Sequence, residues 1–148
     1  MNANAPAPNP RGVYVHWPYC ARICPYCDFN IYKDKGGDEK LVEAMITDIR
    51  EHATRMDKHA ATSIHFGGGT PSLLSQQAVQ TIIQTIDDAF GLAEGAEIAL
   101  EANPDGFTLE RARDFRAAGI NRLSLGVQSF DDAALKALGR THDAAQAL

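Results

Sequence analysis

Residues 13–27 read VYVHWPYCARICPYC. Val13 and Val15 alternate with Tyr14 and His16, the two-residue period of a strand. Pro18 stops that strand, and three cysteines follow within eight residues. Cys20, Cys24 and Cys27 are all the cysteines of the 148-residue chain, spaced C-x3-C-x2-C. An odd, clustered count argues against a disulfide framework and for thiols kept reduced as ligands. Soft thiolates select zinc, copper(I) or iron–sulfur clusters. Structural zinc wants four ligands, and His16 is the residue that completes a Cys3His set, so a zinc-stabilised structural module is one alternative. A three-thiolate set equally suits an iron–sulfur cube with one iron left free of protein ligands, open to a small molecule.

Outward from this loop, strand and helix patterns alternate about four times. The connection from Trp17 to Gly37 is long, and Asp38 opens a helical pattern with Leu41, Val42, Met45, Ile46, Ile49, Ala53 and Met56 at three- and four-residue steps. Ser63–Phe66 is a second strand, broken by Gly67, Gly68, Gly69, Thr70 and Pro71. Ser75 is placed to cap a helix whose apolar face is Val79, Ile82, Ile83, Ile86 and Phe90. A third strand, Glu97–Glu101, ends at the turn signal of residues 103–106, NPDG. Thr108 caps a helix through Leu109, Ala112 and Phe115, with Gly119 at its left-handed exit. Arg122–Gly126 is the fourth strand. Asp131 or Asp132 starts a short helix that Gly139 ends, and Thr141 to Leu148 opens another.

Such alternation predicts an α/β fold with a parallel sheet and right-handed crossovers. Periodicity does not separate a barrel from a doubly wound sheet, but placement favours the barrel. The cysteines, Gly67–Thr70, Glu101 and Gln128 all follow the C-terminal ends of strands, the active face of a βα barrel. Eight units need about 250 residues, so about four make a partial barrel with an unpaired edge. The expected organisation is a disordered leader over residues 1–11, rich in Ala, Asn and Pro, then residues 12–148 as the N-terminal portion of a longer core domain whose C-terminal part is absent.

Composition narrows the function. The net charge of -5 gives no electrostatic footprint for nucleic acid. No apolar stretch approaches the roughly 20 residues of a membrane span. The leader lacks the apolar centre of a secretory signal, so a cytoplasmic protein is expected.

The segment from Tyr14 to Phe29 resembles the cluster loop of radical S-adenosylmethionine (SAM) proteins. More narrowly, it is similar to the oxygen-independent coproporphyrinogen III oxidase-like family. Residues 66–72 (FGGGTPS), 101–104 (EANP) and 119–130 (GINRLSLGVQSF) match that family in the same order. The resemblance implies a 4Fe–4S cluster on Cys20, Cys24 and Cys27, with SAM chelating the open iron. An electron from the cluster then cleaves a carbon–sulfur bond of SAM to give a 5′-deoxyadenosyl radical, the cofactor carrying the hard chemistry. It also implies a SAM site at Tyr14, Tyr26, Gly68, Gly69, Thr70, Glu101, Gln128 and Arg140. In that reading the glycines let the backbone approach the ligand. Glu101 accepts from the methionyl amino group or ribose hydroxyls, Gln128 anchors the nucleoside, and Arg140 pairs with the methionyl carboxylate through its planar fork.

One departure selects a branch. Oxidases of this family tend to carry a further cysteine two residues after the third ligand, where this chain has Phe29. A Cys-x-Phe ending resembles the heme chaperone branch, whose members keep the cluster and SAM site and are thought to bind heme and hand it on. The implied partners are heme or a porphyrinogen, an electron donor and a heme-acceptor protein. The alternative is the oxidase itself, which decarboxylates coproporphyrinogen III to protoporphyrinogen IX. His52, His59, His65 and His142 are not spaced as a heme-ligand motif and read as solvated or core histidines.

Overall fold

The computed structural model describes residues 10–57 and 59–148. Most of the expected leader therefore lies outside the described residues; Arg11 already belongs to the first strand. Four strands form one parallel sheet: β1 (Arg11–Trp17), β4 (Ala61–Gly68), β5 (Leu92–Ala102) and β6 (Arg122–Leu125), side by side in that order. The crossovers are made by α1 (Glu39–Arg55), α2 (Gln76–Phe90) and α3 (Leu109–Ala117). The short helices α4 (Asp132–Ala137) and α5 (Ala144–Ala147) follow β6. Strand order never reverses, so the described sheet has no switch point of the doubly wound kind. It is a length of barrel wall.

Register explains the layering. Val15, Phe66, Leu100 and Leu123 stand in one row across the sheet, and Val13, Ile64 and Ile98 in another. Val15, Trp17, Ile64, Phe66, Ile98, Leu100 and Ala102 are buried in one core with Val79, Ile82, Ile83, Ile86 and Phe115 of the helices. Alternate residues take the opposite face, and there the rows are Tyr14, His65, Ala99, Arg122 and His16, Gly67. α1 buries no residue fully; Leu41, Val42, Met45 and Ile49 only lean on the core.

Helix starts match their residue chemistry. Ser75 accepts from the Ala78 N–H, Thr108 from Arg111 and Asp131 from Ala134. Asp38 precedes α1 without a side-chain cap bond. A strand pair within the cysteine connection escaped the periodicity: β2 (Tyr19–Cys20) lies parallel to β3 (Tyr32–Lys33). β5 also begins five residues before the expected Glu97, its ladder with β4 jumping from Ala61–Leu92 to Ser63–Glu97 around Gly95 at φ +72°.

Candidate functional site

The cysteine loop leaves the C-terminal end of β1 and is closed at its base. The Tyr32 N–H donates to the Pro18 carbonyl at 2.7 Å and the Asp34 N–H to that of Cys20 at 2.8 Å. A tight turn, Cys27 N–H to the Cys24 carbonyl at 3.1 Å, sets the second and third cysteines together. All three thiols are free; Cys20 is buried, the other two half-buried. Burial pushes the Cys20 thiol above its ordinary range, and the neighbouring sulfurs add to that, while a hydrogen bond from Thr70 and the charge of Arg140 oppose it.

The glycine run at the end of β4 packs against this loop. The Gly69 N–H donates to the Trp17 carbonyl at 2.6 Å, and the Thr70 N–H to that of Tyr19 at 2.8 Å. A Cβ on Gly69 would stand 2.5 Å from the Tyr19 carbonyl oxygen, and one on Gly68 2.7 Å from the His16 ring. These glycines admit the protein's own β1–β2 segment. The close approach is to backbone and ring atoms of the chain, and two of the local amides are already spent on it.

Glu101, at the C-terminal end of β5, is the one carboxylate lining a cavity of about 420 Å³, within the usual range for small-molecule sites. The same cavity is lined by Cys20, Cys24, Cys27, Tyr26, Gly68, Gly69, Thr70, Gln128 and Arg140. The sequence-expected set thus converges, with one exception. Tyr14 does not line the cavity; its ring lies over Gly67 and stacks on His65 at 5.8 Å between centroids. Burial, then the Glu101 charge, raises the Tyr14 phenol.

Two residues outside that set hold the site in place. His65, expected as a core or solvated histidine, puts Nε2 2.9 Å from the Glu101 carboxylate. Its signal was its row: β4 position 65 faces the same side as Glu101. Asn103 was quoted only within a motif. Its Oδ1 accepts from Arg140 at 2.8 Å, and its Nδ2 stands 3.5 Å from the Thr70 hydroxyl.

Arg140 follows Gly139, whose φ of +70° ends α4 and turns the next residue inward. Its guanidinium bonds Asn103 and the Gly126 carbonyl (2.6 Å), and stands 3.5 Å from both Cys24 Sγ and the Tyr26 hydroxyl. Its Nε is buried without a partner. Tyr26 is raised by burial and by its contact with Cys24, with Arg140 acting against both. Gln128 has φ +65°, the one positive value among described non-glycine residues. Such strain is characteristic of functional positions, and here it belongs to a cavity residue.

The donor set fits an iron–sulfur cube. Three soft sulfurs face one cavity that also offers a carboxylate, a guanidinium and the apolar Ala102, Leu125 and Val127. His16, the fourth ligand a zinc module would need, does not line the cavity of the thiols; its Nε2 lies 3.1 Å from the Asn30 carbonyl.

Comparison with known proteins agrees with this chemistry. Residues 14–148 match the family model of the radical SAM superfamily. Radical S-adenosyl methionine domain-containing protein 1, mitochondrial, of Bos taurus is 42% identical over 97% of this chain and 33% of its own length. Heme chaperone HemW of Escherichia coli is 42% identical over 90% of the chain and 36% of its own. The solved structure of coproporphyrinogen III oxidase (HemN) from Escherichia coli, a radical SAM enzyme, superposes with a TM-score of 0.84 at 28% identity, covering 93% of this chain and 32% of that one. The chain spans about a third of the length of these relatives. No described helix is long and apolar enough to cross a membrane. A cysteine triad facing a cavity at the C-terminal edge of a parallel sheet, with this match along nearly its whole length, leaves one assignment: the chain belongs to the radical SAM superfamily.

Proposed function

We propose that the chain supplies the cluster- and SAM-holding part of a cytoplasmic heme chaperone, a protein that binds heme and passes it to acceptor proteins. The observation that carries this reading is Phe29. It occupies the position where oxidases of the family tend to have a cysteine, and it lines the cavity with 63% of its surface exposed. A phenyl ring there neither ligates a metal nor moves a proton; it offers a flat apolar surface beside the thiols. Similarity to HemW, higher than to HemN, supports the same branch.

In this reading Cys20, Cys24 and Cys27 hold the cube, which when bound supplies one electron to the sulfonium of SAM. Glu101, steadied by His65, accepts from the amino or ribose groups. Gln128 and Tyr26 border the nucleoside, and Arg140 and Thr70 bridge the cysteine loop to the strand ends. Tyr14 acts one layer below, packing His65 in place.

The second reading is the oxidase, favoured by the 0.84 superposition on HemN. It uses the same residues and needs an external electron donor. Anaerobically reconstituted protein, titrated with heme and assayed with coproporphyrinogen III, SAM and a reductant, separates the two. Stoichiometric heme binding without decarboxylation is expected. Sustained formation of protoporphyrinogen would assign the oxidase instead.

A further inference from the structure

Three polar side chains connect two of the thiols around the cavity rim, and their donor–acceptor chemistry allows one orientation. Arginine only donates, so the Asn103 atom 2.8 Å from Arg140 is the carbonyl oxygen. The Asn103 amide nitrogen therefore faces Thr70 Oγ1, at a longer 3.5 Å. That nitrogen also only donates, which leaves the single Thr70 O–H for its remaining contact, Cys20 Sγ at 3.4 Å. At the other end the second guanidinium nitrogen points to Cys24 Sγ at 3.5 Å. Starting from one cation, every bond dipole runs toward a sulfur. Thr70 is buried, with 7% of its surface exposed, so water does not compete for its hydroxyl.

Hydrogen bonds to ligand sulfurs are one of the protein's means of setting a cluster's potential. A reduced cluster carries one more negative charge than the oxidised one, so a donor aimed at sulfur stabilises the reduced form more. We propose that Thr70 and Arg140, held in register by Asn103, donate to the Cys20 and Cys24 sulfurs and raise the reduction potential of the cluster those cysteines hold. The inference rests on the cluster assignment above and adds to it a positioning role for Asn103 and a tuning role for Thr70. Neither role involves contact with SAM.

The test uses the full chain, loaded anaerobically with iron and sulfide and kept free of SAM. Its midpoint potential is followed by electron paramagnetic resonance during titration with dithionite. Thr70→Val keeps shape and removes the O–H. At the wild-type midpoint its reduced-to-oxidised ratio is expected to fall about tenfold, about 59 mV for a one-electron couple. Thr70→Ser restores the donor and is expected to restore the potential. Asn103→Leu is expected to shift it the same way by less, since Arg140 still reaches Cys24. An unchanged potential in Thr70→Val, or a shift that serine does not reverse, overturns the inference. If Thr70→Val does not load, Asn103→Leu decides, and an unchanged potential there overturns it equally. Wild-type protein that takes up no iron and sulfide would fail the cluster reading itself, which metal and sulfide content reports separately.

Discussion

The two faces of one sheet are made by alternate residues of the same strands, yet they have little in common. On the helix side Val15, Ile64, Phe66 and Leu100 are buried to 6% exposure or less. Tyr14, His65 and Glu101, their immediate neighbours in the chain, are half-buried or exposed and polar. The first face is apolar and has one packed solution. The second carries a histidine in hydrogen-bond contact with a carboxylate (2.9 Å) and ends at the thiols. A parallel sheet with helices on both faces would read as continuously apolar strands. Alternation in parallel strands therefore marks a lumen where chemistry is kept, and stability and function can be perturbed separately on residues one position apart.

The largest expected effect falls on the functional side. Cys24→Ala should abolish the cluster, because two thiolates hold a cube poorly; an unchanged brown chromophore and iron content would refute the ligand set. On the packed side, Phe66→Ala should cost about 3–5 kcal/mol of stability, read by denaturant unfolding of the metal-free chain. A loss below about 1 kcal/mol would mean that this face is not the core. His65→Leu crosses the comparison. It should weaken SAM binding about tenfold, the scale of one hydrogen bond to a charged group, while leaving the unfolding midpoint nearly unmoved. If calorimetry finds the affinity unaltered, His65 does not orient Glu101.

The smallest effect is a pH dependence. Burial raises the Cys20 thiol, so in the metal-free protein it is protonated at neutral pH and must release its proton to ligate. Cluster loading should therefore accelerate as pH rises from about 7 to about 9. The same shift makes the buried thiol's contribution to metal-free stability complete below the unfolded thiol's pKa and lost as pH rises above it. Loading that slows over this range would contradict the assigned direction.

The helix-side layer was legible because it obeys periodicity: Val79, Ile82, Ile83 and Ile86 announce α2, and Ser75 and Thr108 announce their own caps. The cavity was legible through motif likeness, which brought together ten of the eleven expected residues. What stayed hidden depends on register. Nothing local in residues 63–66 says that His65 meets Glu101, 36 residues away; that follows only from strand pairing. The β2–β3 pair is two residues long on each side, too short for any period. Tyr14 was expected at the SAM pocket, but its row on the sheet sets it against His65 and Gly67. The glycines also carry a steric need that no motif announces: a Cβ on Gly68 or Gly69 would meet His16, Trp17 and Tyr19.

That last feature bears on mechanics. With Gly68 and Gly69 clasped under the strand that precedes the thiols, the cysteine segment is riveted to the wall instead of swinging as a flap. Its sulfurs inherit the stiffness of the β-scaffold, so the spacing of the three ligands is set by the wall and not by the loop alone.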